Sequence, residues 1–385
     1  MKKYIFGIFC GIMCIVCSLS CVNIKNVCAE ENSLLFNCSS SILVDFNSGE
    51  VLFEQDADKK VQVASIVKLM TVLLTFEELD SGRLNLSDVI TTTENASGMG
   101  GSQVFIDPYE NYTVEEMLKS VIVASANDAS VALAEHISGS EEKFVEKMNQ
   151  KAKELGLNNT VYVNASGLPQ PGQYSTARDV AKLTKEVTLN KRYFEYSTIW
   201  MDKLIHPSGR ETEVVNTNKL IRYFKGCDAG KTGSTDEAGY CLTATAKRDD
   251  MRLIGVILGA KNATERFNET SRLLNYGFSN FENKNIVSTK NPICETPILR
   301  SKIKSIPVFA AQDFTAICRK GETSNFEIST EINDKIKAPL SSGDIVGKLT
   351  VSKNGVVVRE IDLVVGSDVN AISYGDSLKE IISNW

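Results

Sequence analysis

The sequence predicts an α+β fold: an antiparallel sheet flanked by helices, followed by a small all-β unit. Three observations predict it. Strand-like segments near 41–53 and 230–259 enclose a mostly helical middle, which is the pattern of a helix–sheet–helix sandwich. From about Asn283 the texture changes to short alternating segments punctuated by Gly and Pro. A length of 385 residues, 43% of them hydrophobic, suits two domains with a sizeable core.

The N-terminus reads as an export signal over 1–29. Lys2 and Lys3 form the charged start, residues 4–22 form an apolar run, and Val27-Cys28-Ala29 offers small residues before a cut at Glu30. The run is also long enough to span a bilayer as an uncleaved anchor. Cys21 has a poor lead-in for lipidation in Ser18-Leu19-Ser20.

Segments 41–44 and 51–53 read as strands, with Asn47-Ser48-Gly49 supplying the turn. Over 65–78 apolar residues cover nearly every face, as in a buried central helix. Helices follow over 114–125, 129–137 and 141–155, the last ending at Gly156. Ser175 is placed to cap a helix over 176–189. Segments 230–235, 239–246 and 251–259 form an antiparallel meander, and 264–278 returns as a helix. Strands at 303–309, 314–318, 345–352 and 356–365 make up the small β unit. At the end, Leu378, Ile381, Ile382 and Trp385 share one helical face, which suits either a membrane interface or packing onto the β unit.

The composition excludes several classes. The formal charge is -6, and removing Lys2, Lys3 and Lys25 with the signal, which carries no acid, leaves -9. An acidic chain argues against nucleic acid as a partner. The two histidines, His136 in a helical pattern and His206 beside Pro207, read as structural or solvated, no HExxH occurs, and the CxxC at Cys14–Cys17 falls in the signal, so no metal site is expected. Five of the ten cysteines fall in the signal. Cys38, Cys227, Cys241, Cys294 and Cys318 remain and read as small buried hydrophobes, with a Cys227–Cys241 bridge as the alternative.

Three motifs carry chemistry: Ser65-Ile66-Val67-Lys68, Ser125-Ala126-Asn127 and Lys231-Thr232-Gly233. Ser65 and Lys68 emerge on one helix face, so the lysine can take the serine's proton if burial or a second cation lowers its pKa. Lys231 is the candidate for that cation. Ser65 at a helix N-terminus also meets N–H groups suited to a developing anion. Ser125 and Asn127 lie at a helix–helix break, where Asn127 or Asp128 could simply be caps. Their functional reading is a proton relay to the leaving group and a hydrogen-bonding partner for a substrate backbone. Gly233 lets an extended peptide lie against a strand edge, with the Thr232 hydroxyl and the Lys231 charge beside it.

This set of motifs occurs in penicillin-binding proteins and serine β-lactamases. The chain resembles the low-molecular-mass penicillin-binding proteins of the serine-type D-alanyl-D-alanine carboxypeptidase family. The likeness extends to Asp56-Ala57-Asp58, Ala64, Met70-Thr71, residues 99–103, Asp128-Ala129, Gly167-Leu168-Pro169, residues 174–177 and 216–220, and Arg266. It implies an α/β (α+β) transpeptidase-like catalytic domain over 30–282, a small β-sandwich over 283–373, and an amphipathic anchor over 374–385. Carried over by position, Ser65 is acylated, Lys68 is the base, and Ser125 and Asn127 line the second wall. Lys231, Thr232 and Gly233 then form the strand wall, backbone N–H groups of Ser65 and Ser234 the oxyanion hole, and Arg266 helps hold the terminal carboxylate. No cofactor is implied.

The implied reaction removes the terminal D-Ala from the pentapeptide stem of peptidoglycan outside the cytoplasmic membrane, with β-lactams as covalent inhibitors. Endopeptidase action on cross-links and a β-lactamase are the rivals. Two positions depart from the family's pattern: Val67 stands where Thr is usual, and Ser234 where His is frequent. Glu186-Val187-Thr188-Leu189-Asn190 matches a β-lactamase deacylation motif but falls in a different sequence context, 121 residues after Ser65.

Overall fold

The computed structural model describes residues 35–321, 326–375 and 382. The export segment and all but 374, 375 and 382 of the terminal helix lie outside the described residues. Among the described residues no helix is long and apolar enough to cross a membrane.

The first hairpin joins β1 (Ser40–Asp45) to β2 (Val51–Gln55), and its turn is tied by Asp45, whose carboxylate accepts from the Ser48 amide and hydroxyl. The helical middle comprises α1 (Lys68–Asp80), α2 (Val114–Val123), α3 (Asn127–Ser138), α4 (Glu141–Glu154) and α5 (Ala177–Leu189). The first nine residues of α1 are all buried, as an apolar surface on every side demands, and α2, α3, α4 and α5 all pack against it. Thr113 and Glu116 form a capping box at the start of α2, and Ser140 caps α4.

The cap of α5 differs from expectation. Thr176, not Ser175, accepts from the Asp179 amide, and the helix starts one residue later. Ser175 is extended instead: its backbone bridges to Val61 and its hydroxyl meets Thr160.

The meander follows as β3 (Cys227–Thr235), β4 (Gly239–Arg248) and β5 (Met251–Ala260), and α6 (Ala263–Asn280) closes the unit, capped by Asn262. The sheet order is β2-β1-β5-β4-β3, antiparallel throughout, so strands from both ends of this region meet at its centre. Ile42, Val44, Ile254, Val256 and Leu258 join the core of the helical middle. On the other face Leu43, Leu253 and Gly255 lie against α6, where Leu273, Leu274 and Gly277 approach closely.

Beyond α6 come β6 (Phe281–Val287), β7 (Cys294–Pro297), β8 (Ser305–Ala310), β9 (Phe314–Arg319), β10 (Phe326–Ile332), β11 (Ile345–Lys353) and β12 (Val356–Val365). They form a two-stranded sheet, β6 with β9, and a five-stranded sheet ordered β7-β8-β12-β11-β10. Val308, Leu349, Val351, Ile361 and Leu363 centre a second core.

The five cysteines of the described residues are free. A Cys227–Cys241 bridge is excluded by register. Cys241 pairs with Gly233, which puts the two cysteines about 20 Å apart along the hairpin, far beyond disulfide reach. His206 is buried and exchanges hydrogen bonds with Tyr112 and Thr212, while His136 is exposed on α3.

Candidate active site

Ser65 lies on a single 3-10 turn, Ala64–Val67, that leads into α1. The α-helix proper begins at Lys68, three residues later than the sequence suggests. The tighter turn has a consequence. At three residues per turn, side chains i and i+3 eclipse, which stacks Lys68 directly over Ser65. The Lys68 Nζ sits 2.9 Å from the Ser65 Oγ.

The backbone before Ser65 is strained: Ala64 has φ +48°. Two glycines approach it closely. A Cβ at Gly233 would lie 2.6 Å from the Val63 carbonyl oxygen and 3.0 Å from the Ser65 nitrogen. At Gly167, whose φ is +80°, it would lie 2.1 Å from the Ala64 carbonyl oxygen. Only hydrogen fits at either position, so these glycines let β3 and the 164–173 segment close on Ser65.

Lys68 is fully buried. Its Nζ donates 2.6 Å to Asn127 Oδ1 and makes a short contact with the Ser166 carbonyl. Burial holds its pKa well below the ordinary lysine range; the Lys231 charge lowers it further, and Asp128 opposes them. The expected second cation is therefore present, though burial is the larger cause. Lys231 itself is pulled down to about 7, first by burial and then by the Arg266 guanidinium.

Across the cleft, the break between α2 and α3 places Ser125 at φ +62°, a second strained position at the site. Lys231 Nζ donates 2.5 Å to Ser125 Oγ and 3.0 Å to the Thr232 carbonyl. Asn127 is no mere cap: besides Lys68, it donates through Nδ2 to the Gly100 carbonyl at 2.6 Å. Ser65, Lys68 and Asn127 thus form one hydrogen-bonded set and Ser125 with Lys231 a second, close enough for the Lys231 charge to act on Lys68: a serine beside an amine of lowered pKa, and a second hydroxyl–amine pair. Such a group can accept and return protons at a serine ester without histidine or metal ligands.

Comparison with known proteins identifies the family. Residues 27–262 match the family described as D-alanyl-D-alanine carboxypeptidase, and residues 281–371 match the penicillin-binding protein 5 C-terminal domain. The chain belongs to the D-alanyl-D-alanine carboxypeptidase family. It is 37% identical to the D-alanyl-D-alanine carboxypeptidase DacF of Bacillus subtilis, over 100% of this chain and 99% of that protein. DacC of Escherichia coli is 34% identical, over 85% of this chain and 83% of its own. Among solved structures, penicillin binding protein 5 from Haemophilus influenzae is 31% identical with a TM-score of 0.71, covering 87% of this chain and 98% of its own. The peptidoglycan synthesis regulatory factor PBP3 from Streptococcus pneumoniae is 29% identical with a TM-score of 0.74, covering 87% and 100%.

The remaining residues that the sequence singles out lie on or against β3. Thr232 is buried, and Ser234 is exposed one residue beyond Gly233. Arg266 reaches the sheet from α6. Its guanidinium donates 3.2 Å to the Gly233 carbonyl and 3.5 Å to the Cys241 carbonyl, between the Tyr240 and Phe267 rings. Val67 is buried in the core. Glu186 lies in the last turn of α5, whereas Lys68 finds its partners in Ser65, Asn127 and Ser166.

Two participants escape sequence reasoning. Asp128 is a buried carboxylate that accepts from the Val104, Phe105 and Ile106 amides at 3.0, 2.8 and 3.3 Å and from the Ala129 amide at 2.8 Å. Burial raises its pKa, and those four amides work against the rise. It fastens the 99–106 stretch over Asn127. Ser166 contributes only a backbone carbonyl, which no residue type announces; its sole signal is its place beside Gly167-Leu168-Pro169.

Proposed function

We propose that this carboxypeptidase cleaves the terminal D-Ala from peptidoglycan pentapeptide stems through an acyl-enzyme on Ser65. Neutral Lys68 takes the Ser65 proton as Oγ bonds to the penultimate D-Ala carbonyl carbon. The backbone N–H groups of Ser65 and Ser234 hold the resulting oxyanion. The C–N bond then breaks as Ser125, bonded to Lys231, gives its proton to the departing amine and takes back the one that Lys68 holds, which leaves Lys68 neutral again. Water, deprotonated by Lys68, hydrolyses the ester and frees Ser65. Lys231, Thr232 and Arg266 favour the substrate's terminal carboxylate, and Asn127 and Gly233 receive its extended backbone. β-Lactams enter by the same acylation and remain bound.

The observation that carries this reading is the 2.9 Å contact between Ser65 Oγ and a buried lysine whose surroundings disfavour its charged form. We assign the chemistry to a catalytic domain over 30–282, followed by a β-sandwich over 283–373. Export past the cytoplasmic membrane, with residues 374–385 resting on its outer face, accords with the amphipathic spacing of Leu378, Ile381, Ile382 and Trp385.

Incubation with a pentapeptide stem and with a cross-linked dimer, followed by mass spectrometry, tests it. Loss of a single D-Ala from the pentapeptide is expected, and Ser65→Ala abolishes it. Cleavage of the dimer alone would make the enzyme an endopeptidase.

A further inference from the structure

A neutral lysine amine has two N–H donors and one lone pair. Lys68 Nζ has three partners: Ser65 Oγ, Asn127 Oδ1 and the Ser166 carbonyl. The Asn127 side chain is oriented by its Nδ2 donation to Gly100, so it presents oxygen to the lysine. Two of the three partners are therefore pure acceptors and consume both N–H groups. The lone pair is left for the Ser65 proton. Without the Ser166 carbonyl, the amine is free to turn an N–H toward Ser65 and lose its use as a base.

What aims that carbonyl is a single side chain. Asn164 Oδ1 accepts from the Gly167 amide at 2.7 Å and from Ser166 Oγ at 3.4 Å. Asn164 Nδ2 donates to the Leu168 carbonyl at 2.9 Å and to Gln170 Oε1 at 3.2 Å. The side chain thus bridges the turn on both sides of Ser166. The residue between is held separately: the Ala165 carbonyl accepts from Thr71 and Ser130, and its amide donates to Glu141. Asn164 is buried, and Gln173 in turn accepts from its amide.

We propose that Asn164 is a positioning residue for Lys68, fixing the Ser166 carbonyl so that the amine's lone pair faces Ser65. It touches neither substrate nor reacting atoms. The inference rests on the reading of Lys68 as the base. The charged groups acting on Lys68 besides are Lys231 from β3 and Asp128 from α3.

The test is the rate constant for acylation by penicillin, measured per active site across pH. Asn164→Ala is expected to lower the plateau rate constant about 10- to 100-fold while leaving pre-covalent affinity unchanged. Its acid limb moves to lower pH, because the ammonium form loses a carbonyl partner. Asn164→Asp keeps the shape and the acceptor for Gly167, so it serves if the alanine variant does not fold. It too lowers the plateau, but the added negative charge moves the acid limb to higher pH. Opposite shifts are not produced by mere loosening of the loop, which lowers the active fraction and leaves the rate per site intact. Unchanged rate constants and limbs in the folded variants would overturn the proposal. Lys68→Met separates the two readings: if it acylates at the wild-type rate, the base assignment fails, and if it is inactive while the Asn164 variants are normal, only the positioning role fails.

Discussion

Lys231 on β3 donates a 2.5 Å hydrogen bond to Ser125 Oγ on the facing wall, so the two sides of the cleft are joined through one amine–hydroxyl contact. That amine titrates at about 7 because it is buried beside Arg266. Lys68 feels the charge of Lys231 as well as its own burial, so both amines of the cleft are held below the ordinary lysine range.

The pH dependence of turnover follows. At low pH, Lys68 is protonated and cannot act as a base. At high pH, Lys231 is neutral and loses its attraction for a substrate carboxylate. The kcat/KM profile for a pentapeptide is expected to be bell-shaped, with its falling limb near pH 7, the Lys231 value of the free enzyme. In kcat that limb moves upward, because a bound carboxylate favours the charged amine. Lys231→Arg keeps its charge and is expected to lose the falling limb. Steady-state kinetics between pH 5 and about 10 check this; a limb that persists in the arginine variant contradicts it.

Folding stability carries the same signature. In the unfolded chain lysine titrates near about 10.4, whereas the folded value for Lys231 is about 7. Between those values the unfolded chain binds more protons, so stability rises with pH across that window and falls again as pH drops toward 7. Urea unfolding at the two ends of the window is expected to show a smaller gain for Lys231→Met than for wild type. Parallel gains would remove the linkage.

Much of this was legible before any coordinates. Ser65, Lys68, Ser125, Asn127 and Lys231 are chemistry-bearing side chains at telling spacings, and the structure brings all five together. The all-round apolar pattern of α1 and the meander read correctly because burial imprints periodicity. What stayed hidden did so for physical reasons. β10 is a largely exposed strand at the edge of its sheet, so no apolar alternation marks it. The cap of α5 fell on Thr176 rather than Ser175, two adjacent hydroxyls that differ only in backbone conformation. Ser166 acts through a carbonyl, and the Asp128 carboxylate reaches a loop more than twenty residues away.

Asp128 offers a stability prediction. Asp128→Ala strands three loop amides in a buried site. At roughly 1–3 kcal/mol for each unsatisfied group, a loss of about 3 kcal/mol or more is expected. Asp128→Asn keeps an acceptor oxygen and should lose less. Denaturant midpoints measure both, and an alanine variant as stable as wild type would show the contacts to be dispensable.

Gly167 offers a steric one. Gly167→Ala places a methyl 2.1 Å from the Ala64 carbonyl oxygen at a φ of +80°. The nucleophile's turn must then shift. Acylation by labelled penicillin should slow at least about 10-fold, since displacement of a reacting group by about 1 Å is enough, and stability should fall by about 2 kcal/mol. Normal labelling kinetics would mean that the turn tolerates displacement.

The central claim is that Ser65 forms the covalent intermediate with Lys68 as its base. Intact-mass spectrometry after mixing with benzylpenicillin, followed by peptide mapping, tests it most directly. The account predicts one persistent adduct, of the full mass of the antibiotic, on the peptide that carries Ser65, and its loss in both Ser65→Ala and Lys68→Met. A label on another residue, or rapid hydrolysis of the antibiotic with no accumulating adduct, would contradict it.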